Sequence, residues 1–191
     1  MLQYRPMTKK IVLGGLAGAV VIFFWGFLTW VVTNWRMSEF SRLQQEDMVT
    51  EAITKAAPAD GVYYLPWSMP GPGEDAAKAE EAAMAKMQKG IFAFLVVKHH
   101  AGMDMATPML THIGVQFLAC ALVMWLLLRS AFVTFAARWY FVCIFGLAAA
   151  LACYGPELVW WHFPLAWTIG GIGEITIGFA LAGLAMARIA K

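Results

Sequence analysis

Residues 11–32 run without a single charged side chain, which is more than the ~20 apolar residues a helix needs to cross a bilayer core. Such a stretch has few stable homes in water, so it fixes the first element as a membrane-spanning helix. Lys9 and Lys10 precede it in the manner of a secretory leader. The apolar stretch is longer than a leader's core of roughly 7–15 residues, and Thr33, Asn34, Trp35 and Arg36 follow without a small-x-small cleavage pattern. It reads as an uncleaved anchor. Three more apolar runs, at 110–128, 139–154 and 165–187, are separated by short linkers at 129–138 and 156–164, short enough to make successive helices antiparallel neighbours. The composition agrees: 61% hydrophobic and 14% charged, against about 45–50% and about 25% in an average soluble domain.

The basic residues orient these spans, because cytoplasmic flanks carry the lysine and arginine excess. With the N-terminus inside, Arg5, Lys9, Lys10, Arg129, Arg138, Arg188 and Lys191 all fall on the cytoplasmic side. The 34–108 segment holds seven basic and ten acidic residues, a net charge of −3 that translocates readily. Both termini are therefore expected in the cytoplasm. Trp30, Trp35, Trp160, Trp161 and Trp167 then cluster at the outer boundary, with Trp139 and Tyr140 at the inner one, the depth at which amphipathic rings are favoured. The fold expected is an all-α polytopic membrane protein of four transmembrane helices carrying a small α/β extracytoplasmic domain. Its parts are an anchor at 1–33, the outer domain at 34–108 and a three-helix portion at 109–191.

Within the outer segment, spaced apolar residues predict a helix over 38–57, ending before Pro58. A β-branched and aromatic stretch at 61–66 predicts a strand, 75–89 a second helix, and 91–97 a second strand. Residues 66–73 hold three prolines and cannot be regular structure. Trp67 and Met69 there are candidates for gripping a partner or dipping into lipid headgroups, as are Trp160 and Trp161 at the far end of the third span.

The Gly-Val-Tyr-x-Leu-Pro strand (Gly61 to Pro66), the Met-rich helix ending in Gly-x-Phe (Gly90 to Phe92), the N-terminal anchor and the three-helix C-terminal part together resemble a group of small bacterial inner-membrane proteins of uncharacterised activity. The resemblance implies an architecture and carries over no site residues.

Two stretches carry chemistry. Lys98 to Met109 holds His99, His100, Met103, Met105 and Met109, with His112 three residues on. Imidazole and thioether ligands together suit copper, Cu(I) above all, so His99, His100, Met103 and Met105 are the candidate metal ligands. Methionines packed at an interface, with solvated histidines, satisfy the same residues. The paired histidines resemble a stretch found in a family of small secreted bacterial helical proteins linked to metal binding. The second stretch centres on Glu174, the acidic residue inside an expected span. At that depth a carboxyl costs at least ~2.5–3.5 kcal/mol unless it faces protein or water. Gly170, Gly171, Gly178, Ala182 and Ala185 share its helix face, which predicts a close helix interface and a polar cluster of Glu174 with Gln116 and Tyr154. Gly14 and Gly18 give the first span a similar face.

No phosphate-binding glycine loop, nucleophile elbow or haem-attachment motif occurs in the sequence, and no basic cluster suits nucleic acid. Cys120, Cys143 and Cys153 lie in apolar runs and read as small hydrophobes. Three functions are open at this point. The first is a non-catalytic accessory or assembly subunit of a larger bacterial inner-membrane complex, meeting lipid and other integral subunits through its small-residue helix faces. The second is extracytoplasmic copper binding or delivery, and the third is proton or small-cation transport through Glu174.

Overall fold

A computed structural model describes residues 4–100, 102 and 104–191. The chain is mostly helical. Helix α1 (Tyr4–Phe27) runs on into a π-helical turn (Leu28–Val32), and a short 3₁₀ turn follows (Met37–Glu39). Then come α2 (Glu46–Ala56), β1 (Gly61–Leu65), α3 (Ala76–Lys89), β2 (Ala93–Val97), α4 (Ala106–Arg129), α5 (Phe135–Trp160) and α6 (Leu165–Ile189). Among the described residues four helical stretches are long and apolar enough to cross a membrane: Met7–Val32, α4, α5 and α6. The chain divides into two compact units, one of residues 1–41 with 104–191 and one of residues 42–103.

In the helical unit α1 packs between α4 and α6, and α6 packs against α5. The α1–α4 contact is close because small residues face it. A methyl group on Gly15 would stand 3.0 Å from the Ala121 Cβ, and one on Gly18 2.8 Å from the Cys120 Sγ. Gly14 meets Met124 on the same face, so backbones approach here as small-xxx-small stripes allow. Towards one end of the unit, Cys120, Val123, Met124 and Leu127 of α4 join Val142 of α5 and Phe179, Ala182 and Met186 of α6 in a single buried cluster. Lys10 Nζ donates to the Lys191 carbonyl 2.5 Å away, which places the start of α1 beside the end of α6.

Several boundaries differ from expectation: α4 begins at Ala106, α5 at Phe135 and β2 at Ala93, and two further differences bear on the site. Helix α5 continues through Pro156 to Trp160, so the linker begins at 161. A proline this near a helix end deprives one carbonyl of its partner, and the end is closed by the Trp161 and Phe163 amides, both donating to the Glu157 carbonyl at 3.2 Å. The extension also brings Glu157 into the helix. The expected helix at 38–57 is interrupted: Phe40 is extended (φ −87°, ψ 140°) and Gln45 is left-handed (φ 54°), leaving α2 to begin at Glu46. Phe40 is drawn off to ring contacts with Trp167 at 5.4 Å and Trp30 at 6.1 Å, which a helical continuation would forbid.

In the 42–103 unit, β1 and β2 pair antiparallel with Gly61 opposite Val97 and Leu65 opposite Ala93. Asp75 caps α3, its carboxylate accepting from the amides of Ala77 at 2.9 Å and Lys78 at 3.2 Å, a use of aspartate that supplies two of the orphan donors of the first turn. Asp60 ties the Gly61–Val97 end of the strand pair: Oδ2 pairs with the Lys98 ammonium, and Oδ1 accepts from the His99 amide at 2.8 Å. The Lys98 hydrogen bond first, then that of His99, holds the Asp60 carboxyl below its ordinary value of 3.8. A depressed carboxyl contributes stability that is complete above its unfolded value and lost as the pH falls through its lower folded value. Lowering the pH from above 3.8 to well below it is therefore expected to speed exchange of the His99 amide, measured by hydrogen exchange and corrected for intrinsic rate. In Asp60→Asn that step should vanish; an unchanged step would assign it to another group.

Candidate functional site

The end of α1 builds the site. Its last turn widens to π geometry, with the Thr33 amide donating to the Leu28 carbonyl at 2.9 Å. Asn34 then turns the chain at φ 53°, and the Arg36 amide donates to the Thr29 carbonyl at 3.2 Å. The chain is thus folded back on the helix end, and Arg36 becomes fully buried, with 0% of its side chain exposed. π-turns recur at functional positions because they re-aim side chains in this way.

Glu174 is the tenth residue of α6, about 14 Å along it at 1.5 Å per residue. Its Oε1 accepts from the Trp30 indole at 2.7 Å and the Thr29 hydroxyl at 2.9 Å. Its Oε2 stands 3.1 Å from Arg36 Nε. That nitrogen forms no aligned hydrogen bond, so the contact is coulombic. Arg36 Nη1 pairs with Glu39 and donates to the Trp167 carbonyl at 3.3 Å. Nη2 is buried without a hydrogen-bond partner. Aromatic faces surround the guanidinium instead, Trp167 at 4.6 Å, Trp30 at 5.5 Å and Tyr154 at 6.0 Å, and a desolvated cation over such faces is favoured. Trp167 is itself held by its indole donating to Glu157 Oε2 at 3.0 Å, and the Trp25 indole donates to the Glu174 carbonyl at 2.9 Å.

The glycines of α6 make the room. A methyl on Gly170 would fall into the Glu39 carboxylate and Arg36 Nη1, and one on Gly171 into the ring of Tyr154. This stretch of the small-residue stripe admits a charged cluster and a ring rather than another helix backbone. With both carboxylates ionised, Arg36, Glu39 and Glu174 carry one net negative charge.

Beside the cluster lies a cavity of about 350 Å³ whose lining includes Phe23, Phe27, Met105, Met109, His112 and Glu174. In the 42–103 unit a groove of about 940 Å³ runs between α3 and the turn holding Trp67 and Met69, and the Trp67 ring lies tilted against that of Tyr64 with centroids 5.0 Å apart.

Tyr154 and Glu174 both belong to the cluster. Gln116, expected there, sits half-buried on α4, and none of the hydrogen bonds or ion pairs of Glu174 among the described residues reaches it. Helix α1 lies between, supplying the partners that Gln116 was expected to supply. The histidine-methionine stretch is divided between the two units: His99 and His100 belong to the 42–103 unit and Met105 to the helical one, while Met103 lies outside the described residues. The His99 ring is engaged, its Nε2 bonded to the Ala57 carbonyl at 2.9 Å, and His100 has a left-handed backbone at φ 51°. Among the described residues no group of three His, Cys, Asp or Glu side chains is placed to hold a metal ion. Trp160 is exposed in the last turn of α5, with Trp161 at its C-cap. The three thiols are free, Cys120 within the core.

Arg36, Glu39 and Thr29 were given no site role from the sequence, and Trp30 only a place at the outer boundary. One signal pointed to Arg36: an ionised carboxyl within an apolar helix is best matched by a cation, and Arg36 is the first basic residue after the apolar run 11–32. These features define a bundle of four helices long and apolar enough to cross a membrane, with an internal ion-pair cluster, and a separate α/β unit. No protein-family model, no curated protein and no solved structure matches the chain.

Proposed function

We propose that the chain is an integral protein of a bacterial inner membrane, with both termini cytoplasmic and the 42–103 unit outside. In this reading it works without catalysis, as an accessory subunit that presents that unit to a larger membrane complex. The supporting observation is the anchoring of Glu174, whose Oε1 accepts two hydrogen bonds and whose Oε2 lies against Arg36. A carboxyl on a transport path must exchange its partners, whereas this one is held by Thr29, Trp30 and Arg36 together. The cluster joins α1, α5 and α6 to residues 33–40, the segment from which the chain enters the 42–103 unit. The charge within the bundle is spent on fixing that departure point, the role of a scaffold. Extraction in mild detergent followed by native mass spectrometry is expected to recover the chain in a stoichiometric complex with other integral proteins. Recovery as a stable monomer from cross-linked and uncross-linked membranes alike would refute it. The unaltered chain should leave proton flux across liposomes at the background of empty vesicles; a flux above that background, abolished by Glu174→Gln, would favour transport.

A further inference from the structure

The cavity between α1 and α4 gathers a ligand set that the accessory role does not use. Met105, Met109 and His112 are spaced by four and three residues, which places them on one face of a helix, and all three line this one cavity. Met105 stands at the α4 N-cap with helical backbone angles, φ −92° and ψ −21°, and its carbonyl accepts from the Met109 amide at 3.3 Å, so the helical register holds through the first turn. His112 is steadied by the Phe23 ring at 6.2 Å.

We propose that Met105, Met109 and His112 form a site for a monovalent soft metal ion, Cu(I), in the cavity bordered by Glu174. Two thioethers and an imidazole are ligands that prefer Cu(I) over hard divalent ions. All three are neutral, so the bound ion keeps its single positive charge in surroundings where an uncompensated charge is costly. With both carboxylates ionised, the neighbouring Arg36, Glu39 and Glu174 cluster supplies one opposite charge. Glu174 Oε1 accepts from Thr29 and Trp30 and Oε2 faces the Arg36 guanidinium, so the proposal gives Glu174 the role of a neighbouring charge and not of a ligand. Met105 and Met109 remain exposed, at 69% and 44%. Flexible thioethers within reach of the surroundings suit a site that must accept an ion and release it.

The test uses the whole chain in detergent, loaded anaerobically with Cu(I) as its acetonitrile complex and titrated against a chromophoric Cu(I) chelator. One Cu(I) per chain is expected, with X-ray absorption showing two sulfur ligands and one nitrogen. The Met105→Leu, Met109→Leu, His112→Phe variant should bind at least about tenfold more weakly, a loss of about 1.4 kcal/mol. The Met69→Leu, Met84→Leu, Met87→Leu control should bind as the parent does. Failure of the unaltered chain to compete with the chelator, or a copper shell without sulfur, would overturn the assignment whatever the variants do. Loss of binding in the control with retention in the first variant would move the site to the other unit. Co-purification with a membrane complex is read separately, so either result can fail without the other.

Discussion

Replacing Arg36 with methionine is expected to destabilise the helical unit by about 3–5 kcal/mol, the cost of removing one partner from a buried ion pair. The magnitude follows from what is left behind. Glu174 keeps Thr29 and Trp30 as donors but loses its cation, and Glu39 loses its guanidinium while only 9% of its side chain is exposed. Two carboxyls then share a poorly solvated pocket walled by Trp30, Trp167 and Tyr154. The double replacement Arg36→Met with Glu174→Met removes both charges and fills the space with apolar volume, which is often close to neutral for a buried pair. It should therefore be more stable than the Arg36→Met single variant. The measurement is reversible unfolding in mixed micelles, arranged as a double-mutant cycle that isolates the pairwise energy. A single-variant cost below about 1 kcal/mol, in the range of an exposed pair, would mean that water reaches the cluster.

The long elements were legible because apolar runs of span length have one economical solution, a helix, and the short strands because 61–65 and 93–97 are rich in β-branched and aromatic residues, the first of them closed by Pro66. Glu174 was legible as a residue in need of a partner. The identity of the partner was not, for two physical reasons. Pattern gives helices but not their neighbours, and the pairing of Glu174 with Gln116 assumed that α4 would lie beside α6, where α1 lies instead. The chain reversal at 28–36, built from a π-turn and a left-handed Asn34, has no periodic signature, so nothing in the spacing of residues tells that Arg36 folds back instead of pointing outward. The metal candidates show the complementary failure. Proximity along the chain grouped His99 and His100 with Met105, yet the boundary between the units falls between them, and helical register carries Met105 forward to Met109 and His112.

Gly171→Ala is expected to be among the most damaging single-methyl additions in the chain, about 1–3 kcal/mol from overpacking, because the new methyl occupies the space of the Tyr154 ring. Alanine is otherwise favoured over glycine inside a helix by about 1 kcal/mol, so the sign itself is diagnostic. Gly155→Ala in α5 and Gly114→Ala in α4 supply the contrast, since a methyl at either position meets nothing within 4 Å and should be neutral or stabilising. Displacing the Tyr154 ring also strips one aromatic face from Arg36, so the loss reaches beyond the clash. Tyr154→Ala separates the two effects: in that background Gly171→Ala should cost less than about 1 kcal/mol, because the atoms it meets are gone and only contacting residues couple strongly. If Gly171→Ala were equally costly with and without the tyrosine ring, the glycine would be required by the close passage of backbone, and the stripe on α6 would be a helix-docking surface after all. If the cost disappears with the ring, the glycine exists to seat Tyr154 over the guanidinium, which makes the small residues of α6 part of the charge cluster's own construction.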